Sequence, residues 1–177
     1  MNILITGYKG FIGSHAFKTL SKYYNVDGFE WGDEYPNIKK YNWILHFGAI
    51  SSTVERDIDK IMHQNYDFSV KLLNDAIENN INFQYSSSAS VYGFSQDFLE
   101  TSKIDPKTPY AWSKYMFERY VNNINHSNII QGFRYFNVYG PEGEEHKGTQ
   151  ASPYSQFTKQ AMANRIIKIF NNSEQYL

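Results

Sequence analysis

The sequence predicts an α/β fold, a doubly wound parallel sheet with helices on its faces. Three observations carry this reading. Short apolar runs at residues 2–6, 25–30, 42–47, 83–88 and 128–135 alternate with stretches of helical periodicity. A glycine-rich turn, Gly7-x-x-Gly10-x-x-Gly13, follows the first run at once. Further on, Thr108-Pro109 is a helix-start signal, and it sets Tyr110 and Lys114 one helical turn apart on one face. At 177 residues the chain is long enough for one domain with a real core and too short for two ordinary ones.

The β-branched run 2–6, the glycine turn and a helix from Phe11 to about residue 23 form the opening of a dinucleotide-binding βαβ unit. Gly7 permits the tight turn, Gly10 lets the backbone approach a pyrophosphate, and Gly13 allows close helix–strand packing. The spacing is G-x-x-G-x-x-G rather than G-x-G-x-x-G, and a plain glycine turn between strand and helix is the alternative. Strand 25–30 ends at Glu30, about 20 residues past the glycines, where a carboxylate takes a ribose 2′-OH and repels a 2′-phosphate. An exposed acid among Asp27, Asp33 and Glu34 is the competing reading. Only residues 31–41 separate Glu30 from the next strand. A further parallel strand needs a crossover of a dozen or more residues, whereas these span about 36 Å when extended. The sheet is therefore expected to lack the strand that walls the adenine side.

Gly48-Ala49-Ile50-Ser51-Ser52-Thr53 lies at the carboxyl end of strand 42–47, where doubly wound folds bind ligands, and its small residues let a cofactor's nicotinamide side approach. Tyr66, Val70, Leu73 and Ile77 mark a helix over 61–80, with His63 a solvated residue on it. Strand 83–88 delivers Ser88 to the same edge, as a hydroxyl for a substrate or as part of a serine turn. The helix from Pro109 to about residue 125 presents Trp112, Tyr115, Met116 and Tyr120 as an apolar face. After strand 128–135 come a polar loop, 142–150, a helix over 153–164, and residues 165–170 with strand character.

An ammonium beside a phenol favours the phenolate and draws a tyrosine pKa down from about 10. Tyr110 with Lys114 is thus a candidate general acid/base. A second Tyr-xxx-Lys pair, Tyr35 and Lys39, contains Pro36 and does not sit on a helix.

Composition narrows the function. The net charge is −1 with scattered cations, so no basic footprint for nucleic acid exists. Cysteine is absent, which excludes disulfides and thiol catalysis. No His/Asp/Glu cluster has metal spacing, no run reaches the length of a membrane span, and Met1 leads directly into a strand. A soluble cytoplasmic protein without a metal is expected. Aromatics reach 18%, more than one small core encloses, so some cover surface or meet a partner.

Together the glycine turn, Ser88-x-x-x-Tyr92-Gly93, Tyr110-x-x-x-Lys114 and Arg134-Tyr135-Phe136-Asn137-Val138-Tyr139-Gly140-Pro141 resemble the extended short-chain dehydrogenase/reductase family, which includes nucleotide-sugar epimerases and dehydratases on a Rossmann-like fold. Gly48-Ala49-Ile50-Ser51-Ser52-Thr53, Gln64-Asn65-Tyr66 and His146-Lys147-Gly148-Thr149-Gln150-Ala151-Ser152 resemble most the branch that inverts C6″ of an ADP-heptose. The resemblance implies Ser88, Tyr110 and Lys114 as catalytic residues and Lys147 as a second acid/base. It implies cofactor contacts from Gly7, Gly10, Phe11, Ile12, Gly13, Glu30, Gly48, Ala49, Ile50, Asn65, Tyr110, Lys114 and Val138. Ser88, Asn137, Thr149, Gln156, Phe170, Asn171, Asn172 and Ser173 would meet a nucleotide-sugar. The cofactor is NADP or NAD; the branch usually takes NADP, whereas Glu30 favours NAD. Family members continue beyond the position of Leu177 with a further strand and most of a sugar-binding lobe. The expectation is a single Rossmann-like domain over 1–177, reduced on its adenine side, with the start of the substrate region at about 141–177. An uncovered sheet of this kind is expected to form a homo-oligomer. The leading reading is an ADP-heptose 6-epimerase. Alternatives are another nucleotide-sugar 4-epimerase or 4,6-dehydratase, or a catalytically weak nucleotide-binding module. Elimination is disfavoured because Ala89-Ser90, rather than an acid, follows Ser88.

Overall fold

The computed structural model describes residues 1–140, 144 and 151–169, in two compact units, Met1–Phe136 and Asn137–Leu177. The first holds five parallel strands: β1 (Asn2–Thr6), β2 (Asn25–Phe29), β3 (Trp43–His46), β4 (Asn82–Ser88) and β5 (Ile130–Tyr135). Their order is β2-β1-β3-β4-β5, which puts β2 at the edge beside β1, with no strand beyond it among the described residues. The link to β3 holds a single 3₁₀ turn, Ile38–Lys40, as its eleven residues dictate. Ile38 and Tyr41 are buried in the core, and the Tyr41 hydroxyl donates to the Asp27 carboxylate at 2.7 Å, which pins this link beneath β2.

Register gives the carboxyl edge a step. Thr6 is level with Phe29 and His46, and His46 with Tyr85, but β4 and β5 run three residues further, to the paired ends Ser88 and Tyr135. Ser88 therefore stands above the floor formed by the shorter strands. Alternation sends Leu4, Ile44, Phe83 and Tyr85 to one face, where they pack with Leu72, Leu73, Ala76, Phe117 and Val121. These last five come from α3 (Phe68–Glu78) and α4 (Pro109–Val121). On the other face, α1 (Phe11–Leu20) adjoins the buried Ile3 and Ile5. Beyond α1 lies an open apolar groove of about 610 Å³, lined in part by Ile12, Ala16, Leu20, Leu45, Phe47 and Tyr135.

Three elements differ from their sequence outlines. The helix expected over 61–80 starts as α2 (Ile58–Ile61), where the Asp57 side chain accepts from the Lys60 N–H. It then widens into a π turn, Met62–Asp67, before α3. Helix α1 ends at Leu20, where the Tyr23 and Tyr24 N–H groups fold back to the Leu20 carbonyl and Tyr23 is left exposed, its ring edge-on to that of Tyr24. The strand character of 165–170 is not realised among the described residues. Arg165, at φ 56°, ends α5 (Pro153–Asn164), and Ile166, Ile167 and Ile169 remain exposed with no ladder to join. In this second unit Ser152 caps α5, and the buried Glu144 carboxylate accepts from both its N–H (2.6 Å) and its hydroxyl (2.8 Å).

Helix α4 is fastened to β4 and β5 by a buried ion pair. Arg134 donates from Nη2 to Glu118 Oε2 at 2.7 Å and from Nε to Oε1 at 3.0 Å, and the Ser87 hydroxyl also donates to Oε1. Arg134 Nη1 donates further to the Tyr92 hydroxyl (3.0 Å) and the Glu100 carbonyl (3.2 Å), so one side chain joins strand, helix and loop. Removing one partner strands the other charge. Glu118→Ala is expected to lower the unfolding free energy in urea by about 3 kcal/mol, the low end of the range for broken buried pairs, because Arg134 keeps some exposure. Replacing both residues by leucine should cost clearly less, and equal losses would mean that the pair carries no special weight.

Candidate active site

The floor of the site is set by close backbone approach. Gly7 adopts φ +68°, and a Cβ there would lie 2.6 Å from the Gly48 Cα; a Cβ on Gly13 would lie 2.1 Å from the Gly7 carbonyl oxygen. The turns after β1 and β3 therefore meet backbone to backbone, which only glycine allows. Gly10 starts α1 without a side-chain cap, so the first N–H groups of this helix face the turn with no intrahelical partners. Phe11 is buried, so at this position only the backbone is offered. At the mouth of the turn Glu30 Oε1 accepts the Lys9 N–H at 2.6 Å, and the Glu30 N–H donates to Asp33 Oδ2 at 2.8 Å. Glu30 is thus bonded to the backbone of the glycine turn.

The loop after β3 is held by side chains. Gly48 N–H donates to Thr6 Oγ1 at 3.1 Å. Asn65, on the π turn, accepts the Ile50 N–H at 2.8 Å and returns its Nδ2 to the Ile50 carbonyl at 3.0 Å, replacing the strand neighbour that Ile50 lacks. The same Nδ2 donates to Ser113 Oγ at 3.1 Å, and the Ser113 hydroxyl donates to the Tyr110 carbonyl at 2.7 Å. Gly48, Ile50 and Asn65 are thereby joined to the Tyr110 helix, with Ala49 between them in the chain.

Thr108 caps α4 by accepting the Ala111 N–H at 3.1 Å, and Pro109 takes its first position. Tyr110, Lys114 and Glu118 then lie along one side at successive turns. Ser88 Oγ accepts from the Ser90 N–H (3.2 Å) and hydroxyl (2.9 Å), which leaves its own proton to be directed at the Tyr110 phenol close by. Ser88, Tyr110 and Lys114 are thus brought together at the step of the sheet. Their electrostatics depart from the sequence expectation. Burial raises the Tyr110 pKa above the usual 10, and the Ser88 hydrogen bond opposes this only in part. Lys114 does not reverse the shift, because its ammonium is buried, donates to the Ser86 carbonyl at 2.9 Å and stands 5.9 Å from the phenol ring centre. Desolvation brings its own pKa down to about 8.

Asn137, Val138 and Gln156 belong to the second unit, where Gln156 Nε2 donates to the Ala151 carbonyl at 2.7 Å. Lys147, Thr149, Phe170, Asn171, Asn172 and Ser173 lie outside the described residues. Among the described residues no cluster of three His, Cys, Asp or Glu could hold a metal, and no helix is long and apolar enough to cross a membrane. Four contributors escaped sequence reading: Thr6, His46, Ser69 and Ser113. Their only trace was a polar residue closing an otherwise apolar strand, at Thr6 and again at His46.

Residues 23–176 match the model of the NAD dependent epimerase/dehydratase family. The chain is 35% identical to an ADP-L-glycero-D-manno-heptose-6-epimerase of Brachyspira hyodysenteriae, aligning over 99% of itself and 66% of that protein. Its fold is similar to a Helicobacter pylori ADP-L-glycero-D-manno-heptose-6-epimerase, at TM-score 0.84 and 26% identity over 93% of this chain and 64% of the other. It is similar too to a Thermotoga maritima UDP-glucose 4-epimerase solved with UDP-glucose, at TM-score 0.81 and 25% identity over 97% and 66% of the two chains. The chain thus spans just under two thirds of the length of these relatives.

The depressed Lys114 pKa has a measurable sign. Between about pH 8 and 10.5 the unfolded chain keeps a proton on this lysine that the folded chain has lost, so stability rises with pH across that window and the cost is fully present below it. Lys114→Met removes the group. Urea unfolding at pH 7.5, 9 and 10.5 should show the wild type gaining up to about 3 kcal/mol relative to this variant. Parallel curves for the two proteins would contradict the burial argument.

Proposed function

This chain belongs to the NAD dependent epimerase/dehydratase family, and from that premise we propose that it serves as a nucleotide-sugar epimerase acting at C6″ of an ADP-heptose. The observation that carries the reading is the meeting of Ser88, Tyr110 and Lys114 at the step of the sheet, in the same unit as a glycine turn of the dinucleotide-binding kind. The cradle fits a dinucleotide: Gly7 and Gly13 let the turn close tightly against Gly48 and the start of α1, and that uncapped helix start suits a pyrophosphate. When bound, a nicotinamide dinucleotide supplies a hydride acceptor and donor.

The protein's own residues then do the following. The first N–H groups of α1 neutralise phosphate charge, and Glu30 offers Oε2 to a ribose hydroxyl while Oε1 remains on Lys9. Ser88 Oγ–H orients the sugar oxygen, and Tyr110 takes or returns its proton. Lys114 holds the end of β4 through the Ser86 carbonyl and keeps a positive charge near the phenol below about pH 8. Lys147 remains the candidate for the second proton donor that inversion requires. The open apolar groove between α1 and β5 supports a homo-oligomer, and the absence of any membrane-crossing helix among the described residues is compatible with a cytoplasmic enzyme. One further reading has a specific observation behind it: the likeness to the UDP-glucose 4-epimerase is nearly as close as that to the heptose enzyme, so a UDP-hexose is the alternative substrate.

The direct test supplies ADP-heptose and UDP-glucose separately to the purified chain and follows epimer formation by NMR. Conversion of ADP-heptose, slowed about 10²–10⁴-fold by Tyr110→Phe with cofactor binding retained, is the expected result. Turnover of UDP-glucose alone would move the assignment to the second reading, and turnover undiminished in Tyr110→Phe would remove the tyrosine from the chemistry. Glu30 makes a separate prediction. Calorimetry should find NAD bound at least about tenfold more tightly than NADP, and Glu30→Ala should narrow that gap by weakening NAD. A preference for NADP would place Glu30 away from the ribose.

A further inference from the structure

Beneath the floor lies a buried histidine that the proposed chemistry does not use. His46 ends β3 and is only 3% exposed. Its Nδ1 lies 2.6 Å from Thr6 Oγ1 and its Nε2 lies 2.7 Å from Ser69 Oγ. Hydrogen-bond counting fixes every proton along this line. The Ser69 hydroxyl is 2.5 Å from the Asn65 carbonyl, an acceptor only, so Ser69 must spend its single proton there. Ser69 Oγ can then meet His46 only as an acceptor, which puts a proton on Nε2. A second proton on Nδ1 would make a buried cation close to the Lys114 ammonium, and both burial and that charge oppose it, holding the imidazole down to about 3. Nδ1 is therefore bare and accepts the Thr6 hydroxyl proton, while Thr6 Oγ1 in turn accepts the Gly48 N–H.

We infer that His46 is a positioning residue, held as the neutral Nε2–H tautomer, which joins Thr6 to Ser69 and so sets the 48–50 loop at the height that the cofactor needs. The line is continuous: Gly48 N–H to Thr6, Thr6 to His46, His46 to Ser69, Ser69 to the Asn65 carbonyl, while the Asn65 side chain grips Ile50 and reaches Ser113 beneath Tyr110. Both ends of the loop, Gly48 and Ile50, thus hang from one chain of bonds whose direction cannot reverse. If the imidazole were protonated or turned to the other tautomer, Thr6 or Ser69 would face a like partner, and the loop would lose its support at Gly48. This inference rests on the cofactor reading above for its consequence, but not for its tautomer.

Two measurements test it. Long-range ¹H–¹⁵N NMR of the histidine rings should show His46 with a protonated Nε2 and an unprotonated Nδ1, unchanged between pH 8 and 5. A His46 that carries its proton on Nδ1, or charges in that range, overturns the inference whatever the protein binds. Calorimetric titration with NAD then follows three variants, each checked for an intact fold by its urea midpoint and circular dichroism. Thr6→Val keeps shape and deletes the hydroxyl, and should weaken NAD about tenfold, as should His46→Leu. Thr6→Ser restores the hydroxyl and should recover most of the affinity, which a merely steric role for Thr6 would not predict. Folded Thr6→Val and His46→Leu proteins that bind NAD like the wild type would overturn the positioning role. A wild-type chain that binds no NAD would instead overturn the functional reading, and the positioning role with it, leaving the tautomer result to stand or fall alone.

Discussion

A parallel sheet runs out of hydrogen bonds at its carboxyl edge, and most of this site is the set of side chains that make up the shortfall. Strands β1 and β3 stop level with each other, and the chain leaves β3 with N–H and C=O groups that no further strand can meet. Thr6 accepts from Gly48, Asn65 takes both polar groups of Ile50, Ser86 Oγ donates back to the His46 carbonyl, and Lys114 meets the carbonyl of Ser86 itself. Each of these residues belongs to the site or touches one that does. The candidate chemistry is grafted onto groups that the fold must place there in any case.

Helix α4 is where that constraint meets charge. Along one side it carries a phenol, an ammonium and a carboxylate at successive turns, and all three are partly or fully buried. The carboxylate has a full ionic partner, Arg134, one residue before the step in the sheet. Lys114 has a neutral carbonyl instead, so its charge is under-compensated and its pKa falls. Along the helix the compensation of charge falls from Glu118 to Lys114. A firmly anchored helix that carries a buried, under-compensated ammonium is the arrangement expected where reactivity is kept and stability is supplied elsewhere.

How much of this could be read from the sequence depends on how far each effect reaches. The glycine turn, the Thr108-Pro109 start and the five strands follow from local sterics and periodicity, and they stand where the sequence put them to within a few residues. So do Ser88, Tyr110 and Lys114, whose residue types and spacing already specified one helical face and one strand end. The short link 31–41 is the clearest long-range success, because chain length alone forbids another strand. What escaped depends on partners that are remote in the chain. Thr6 meets His46 across 40 residues and Asn65 meets Ser113 across 48, and no local pattern announces either. The π turn was hidden for the same reason, since its apolar spacing still reads as an ordinary helix. The sign of the Tyr110 shift was misjudged because proximity of a cation is visible in a spacing, whereas the burial that outweighs it is a property of the assembled core.

That reversed shift has a consequence for how the site must work. In the chain alone, burial holds the proton on Tyr110, and the nearby ammonium is too far from the phenol and too engaged with Ser86 to pull it off. The resting tyrosine is thus a proton donor rather than a base. To accept a proton from a sugar hydroxyl, its pKa must come down, and the protein offers only the Ser88 hydrogen bond towards that end. The remaining pull has to arrive with what binds, as positive charge within a few ångströms of the phenolate. Charge brought by a ligand acts only while the ligand is in place, so a site of this design stays protonated and inert when empty and becomes basic on loading.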